Sequence, residues 1–159
     1  MIYNKNIRRA MQFAESLHHG QTDKGGYPYV FHPFYIALQM DTEAEICVAL
    51  LHDTIEDTKL TDSVLSEWFS AEICDAIKLL THKRNQPYKE YIERIKPNPL
   101  ARKVKIADLK HNLDTSRLAD ELKHSEIYKF SDAYLEHQAQ RIKKYQAALK
   151  YLEDETNED

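Results

Sequence analysis

The sequence predicts an all-α protein, and three observations carry that prediction. Glycine and proline are scarce, 3 and 5 among 159 residues, about 5% where an average protein has roughly 12%. Sandwiches and barrels turn about every ten residues and draw on those residues to do it. All three glycines, Gly20, Gly25 and Gly26, fall in one short stretch, and apolar residues elsewhere recur at the three-to-four spacing of helices.

The elements follow in order. Ile7, Ala10, Met11, Ala14 and Leu17 define a first amphipathic helix over about 4–19. The glycine loop, 20–31, comes next. Pro33 suits the first position of a second helix, with His32 as its N-cap and an end near Met40. Thr42 and Glu45 form the Thr-x-x-Glu signature of a capping box that opens a third helix. That helix carries the longest apolar run, Ile46 to Leu51, and is apolar nearly all round, which predicts a central position. Shorter helices are expected over 61–69, 71–81 and 88–96. Asn98 reads as an N-cap with Pro99 in the first turn of a helix to about Asp114. A last helix, from Tyr128 to Tyr151, shows Leu135, Ile142, Tyr145, Leu149 and Leu152 at helical spacing. The expected organisation is one compact multi-helix bundle over 1–152 and an acidic, frayed tail over 153–159.

Several function classes are excluded by composition. No glycine-rich phosphate loop of the GxGxxG or Walker type is present. The net charge of −4 argues against wholesale nucleic-acid binding, and no apolar run approaches a membrane span. The first residues lack a secretory apolar region. Cys47 and Cys74, each within an apolar pattern, read as buried thiols of a reducing, cytoplasmic setting. Arg94 to Lys110 holds six basic residues and one acid, Asp108. That stretch fits either a solvated basic face or a small anionic ligand beside Asp108.

Polar residues then stand where a core pattern calls for apolar ones. His52 and Asp53 directly follow the apolar run, with Glu56 and Asp57 one turn on at i+4. Carboxylates on a buried helix end need a cation, hydrogen bonds or water. His32 lies between Phe31 and Pro33 and could be a cap or a packed residue. Asp108 interrupts Val104, Ile106, Ala107 and Leu109, on a strip with Asn112 and Thr115, and could be a paired structural group. Together His32, His52, Asp53 and Asp108 make a mixed N/O set without thiolate, which suits Mn²⁺, Fe²⁺ or Zn²⁺ with positions open to water and substrate. Glu56 and Asp57 would orient or deprotonate that water.

The order His, then His-Asp, then Asp resembles the HD-domain metal-dependent phosphohydrolases. The segments GYPYVFHPFYIA (26–37), ALLHDTIEDT (49–58) and VKIADLKHN (104–112) resemble the hydrolase domain of RelA/SpoT enzymes and the small stand-alone alarmone hydrolases. The resemblance spans about residues 5–120. It implies an all-α fold and Mn²⁺-dependent removal of the 3′-pyrophosphate of (p)ppGpp. It also implies His32, His52, Asp53 and Asp108 as metal ligands and Glu56 and Asp57 as the water-activating pair. Asn112 matches a residue that contacts the nucleotide sugar, and Lys24 one in the loop that meets the base. Lys105, in the basic stretch, is a further candidate for holding phosphates. Asp23 stands where these hydrolases usually carry arginine. The expected partner is a small nucleotide; a phosphatase of nucleoside monophosphates or other phosphate esters, or a silent nucleotide-binding module, are the alternatives.

Overall fold

A computed structural model of the chain describes residues 2–114 and 132–154, with the side chains of 132–135 outside the description. The described residues form helices and no named strand. α1 spans Lys5–Leu17, α2 Phe31–Ala37, α3 Glu43–Leu51, α4 Thr54–Asp57 and α5 Asp62–Ser66; α6 spans Ala71–Leu80, α7 Tyr88–Ile95, α8 Pro99–Leu113 and α9 Asp132–Glu153. The expected start at Tyr128, Thr115, the Leu135 side chain and the tail beyond Asp154 lie outside the described residues.

The start signals act as the residue types predict. Asn4 accepts the Ile7 N–H to open α1, and Asn98 accepts that of Ala101 to open α8. The Thr42–Glu45 capping box closes in both directions at the start of α3. α3 is the axis of the fold: Ile46 to Leu51 are all buried, and α1, α2, α6 and α8 pack around it. A helix apolar on every side is stable only when surrounded. No helix among the described residues is long and apolar enough to cross a membrane.

Two expectations are corrected. His32 is not the N-cap of α2; that helix starts at Phe31 with Val30 before it. A turn in which Phe31 and His32 donate to the carbonyls of Pro28 and Tyr29 (3.1 and 2.9 Å) leads straight into the helix. Pro33 is accommodated because the first-turn N–H groups have no intrahelical partner anyway. Secondly, α3 does not continue through Asp57. It ends at Leu51, Asp53 sits at φ −100°, ψ −2°, and α4 starts afresh at Thr54. The Thr54 hydroxyl donates to the Leu51 carbonyl at 2.6 Å, satisfying an acceptor released by the break.

The glycine loop closes into a tight turn. Thr22 and Pro28 form an antiparallel bridge, and the Asp23 carboxylate accepts the N–H groups of Gly25 and Tyr27 at 2.8 and 3.0 Å. Gly26, at φ 81°, takes the left-handed conformation that closes the turn, whereas Gly25 does not. The basic stretch also has a settled use. Arg94 donates to the Leu79 and Thr81 carbonyls at the end of α6, and Lys96 to those of Tyr151 and Asp154 at the end of α9. Lys103 and Lys110 pair with carboxylates, and Lys105 faces the polar cluster described next.

Candidate metal centre

Three parts of the chain converge on one buried point. α2 contributes His32, the break between α3 and α4 contributes His52 and Asp53, and α8 contributes Asp108. His32, His52 and Asp108 are 5%, 1% and 4% exposed. His32 Nε2 lies 3.1 Å from Asp108 Oδ1 and 3.8 Å from Asp53 Oδ2. His52 Nε2 lies 2.9 Å from Asp53 Oδ2 and 3.9 Å from Asp108 Oδ1. The helix break makes this possible: neighbours on an unbroken helix diverge by about 100°, yet His52 and Asp53 both face the same centre.

The protonation of His52 follows from its partners. Its Nδ1 meets the Ala49 carbonyl at 2.7 Å, and a carbonyl only accepts, so Nδ1 carries the hydrogen. Nε2 of the neutral ring is then a bare lone pair, buried, close to two carboxylates and outside hydrogen-bonding geometry with any partner. That arrangement calls for a cation. With a proton as the cation, burial opposes the charge, but Asp53 and Asp108 lift His52 to about 9. A divalent metal fits the same place. His32, His52 and Asp53 each offer a ligand atom within 4.8 Å of the others, and a ring held by Nδ1–H to a carbonyl is how metal-binding imidazoles are oriented.

The carboxylates are held ionised against burial. Asp53 is drawn down to about 2, chiefly by His52, and the Tyr29 hydroxyl donates to it. Asp108 is held well below the usual carboxylate range by Lys105, His32 and His52. Lys105 Nζ pairs with Asp108 Oδ2 at 2.7 Å, and Asn112 donates to Asp108 Oδ1 at 2.5 Å. Lys105 and Asn112, expected against substrate, thus both grip Asp108 in this structure.

Glu56 and Asp57 lie one turn beyond the His/Asp cluster, exposed as residues but with their carboxyls partly shielded from solvent. Burial pushes both carboxyls up and the Asp53 charge adds to it, while Glu56 is partly offset by accepting the His82 N–H at 2.8 Å. Lys24, in the glycine loop, is lowered by burial and by Arg141 of α9. The two cations therefore lie close enough to repel one another. Sequence reading passed over Tyr29, His111 and Arg141. Tyr29 and His111 each sit three residues from a singled-out residue, His32 or Asp108, but an aromatic or histidine at that distance is ordinary on any helix.

No family model matches the chain. It is 31% identical over 140 residues to a GTP pyrophosphokinase of Myxococcus xanthus, covering 76% of this chain and 18% of that protein. It is 33% identical over 138 residues to a guanosine-3′,5′-bis(diphosphate) 3′-pyrophosphohydrolase of Aquifex aeolicus, covering 79% and 20%. A protein of the same name from Spiroplasma citri is 32% identical over 127 residues, covering 70% and 17%. The chain thus spans about a fifth of the length of the curated relatives it matches. Among solved structures, a metazoan ortholog of SpoT that hydrolyzes ppGpp superposes with a TM-score of 0.70 at 21% identity, over 94% of this chain and 88% of that one.

Proposed function

We propose that this chain, an HD-type RelA/SpoT hydrolase-like domain by sequence and fold, removes the 3′-pyrophosphate of a (p)ppGpp-like nucleotide. The observation that carries the reading is the bare, buried Nε2 of His52 among Asp53, Asp108 and His32. Those four side chains hold one divalent metal, Mn²⁺ in our assignment, with Fe²⁺ or Zn²⁺ compatible with the same donors. When bound, the metal acidifies water and polarises a phosphoryl oxygen.

The chain's own residues do the rest. Glu56 and Asp57, with carboxyls raised by burial, take the proton of the attacking water, since a base is most effective when its pKa approaches the working pH. Lys24, with Arg141 beside it, makes a cationic rim for the anionic nucleotide. Asn112 contacts the sugar, and Lys105 exchanges part of its hold on Asp108 for a phosphate oxygen. The domain runs from 1 to 152; Leu152, 2% exposed, is the last core residue among the described residues. The substrate is a small nucleotide rather than nucleic acid, and the setting cytoplasmic, which the free, buried Cys47 and Cys74 support.

The test is to incubate Mn²⁺-loaded protein with (p)ppGpp, GTP, nucleoside monophosphates and NADPH and to separate the products by anion exchange. Pyrophosphate release from (p)ppGpp is the expected result. Orthophosphate release from a monophosphate moves the substrate assignment, and no consumption of any nucleotide overturns the enzymatic reading.

A further inference from the structure

We infer that His111 is a positioning residue that holds His32 in the tautomer the metal centre requires. This rests on the reading of His32 as a ligand. Nδ1 of His32 and Nδ1 of His111 face each other at 2.6 Å, and both rings are buried. Two lone pairs or two N–H groups at that distance repel, so one proton lies between the two nitrogens. If it belongs to His32, Nε2 of that ring is a lone pair aimed at the same point as His52 Nε2. If it belongs to His111, His32 has to carry its hydrogen on Nε2, where a metal cannot bind.

α8 holds the His32 ring at both nitrogens. Asp108 stands 3.1 Å from Nε2 and His111 2.6 Å from Nδ1, three residues apart on one helix face. The His111 ring lies nearly parallel to that of His32, at 16°, and stacks on Tyr35 with centroids 4.3 Å apart. The stack leaves the imidazole little freedom to turn its Nδ1 away. His111 therefore does for His32 what the Ala49 carbonyl does for His52, with a side chain in place of backbone.

Two substitutions separate hydrogen bonding from packing. His111→Phe keeps a ring between His32 and Tyr35 and deletes the Nδ1 acceptor. His111→Asn places a carbonyl oxygen near the position of Nδ1 and gives up the ring. Mn²⁺ affinity is measured by isothermal titration on the full chain. We expect His111→Phe to bind about 10–100-fold more weakly and His111→Asn to stay close to the parent. The reverse order, with the Phe variant matching the parent and the Asn variant impaired, overturns the inference and leaves the metal assignment standing. Should His111→Phe not fold, the Asn variant decides: parent-like affinity supports the inference, and a loss of about tenfold or more overturns it. A parent chain that binds no Mn²⁺ overturns the metal assignment and this inference with it. ¹⁵N spectra of the Zn²⁺-loaded parent give a readout independent of affinity. A hydrogen on Nδ1 of His32 is expected, and a hydrogen on Nδ1 of His111 overturns the inference.

Discussion

The two imidazoles of the centre are held in different ways. His52 hangs from the end of α3, with Nδ1 tied to the backbone carbonyl of Ala49 and a fully buried stretch, Ile46 to Leu51, beneath it. His32 lies on the short α2, with Nδ1 tied to the side chain of His111, 79 residues away in sequence. One anchor is local and made of backbone, so no substitution removes it without disturbing the core. The other is a long-range pair of side chains, open to a single mutation. Half of the centre is thus as robust as the core, and half depends on α2 and α8 meeting correctly.

Asp108 belongs to both halves, 3.1 Å from His32 and 3.9 Å from His52, so its loss is expected to have the largest effect. Asp108→Ala should abolish both bound metal and turnover while far-UV circular dichroism keeps its helical signal. Retained turnover would remove Asp108 from the ligand set. The backbone-anchored half is reached only through the core. Leu51→Ala should cost about 2–5 kcal/mol of stability, read by denaturant unfolding, because Leu51 is fully buried directly before His52. An equal loss of metal affinity and stability there would tie His52 to the core.

The side-chain half gives the next effect. His111→Phe should lose metal affinity while keeping its thermal midpoint close to the parent's, which is the contrast with Leu51→Ala. The smallest expected effect lies in the loop. Gly26 has φ 81° with open space where a Cβ would sit, so Gly26→Ala should cost about 1–2 kcal/mol through backbone strain alone. If the loop serves the nucleotide, that variant raises KM and leaves metal affinity unchanged. A change in metal affinity would mean that the loop also holds His32 in place.

Much of this architecture is legible in residue types. Asn98–Pro99 and Thr42-x-x-Glu45 marked helix starts because capping is a local hydrogen-bond problem that neighbours in sequence solve. The run Ile46–Leu51 marked the central helix because a segment with no polar side has to be enclosed. His32, His52, Asp53 and Asp108 stood out because each interrupts an apolar pattern.

What the residues could not convey is how those interruptions meet. The break after Leu51 has no glycine or proline to announce it; it is made where Thr54 takes the Leu51 carbonyl and where turning both His52 and Asp53 inward outweighs one more turn of helix. The basic stretch looked uniform in sequence, yet tertiary packing gave Arg94 and Lys96 helix ends to cap and gave Lys105 to Asp108. The protonation of His32 is the furthest from sequence, because it depends on a nitrogen 79 residues away. Sequence by itself determined the helical class and its start signals, since each is settled by contacts a few residues apart. Tertiary structure alone decided which donor faces which acceptor, because a buried ring nitrogen takes its hydrogen from whatever the fold places against it.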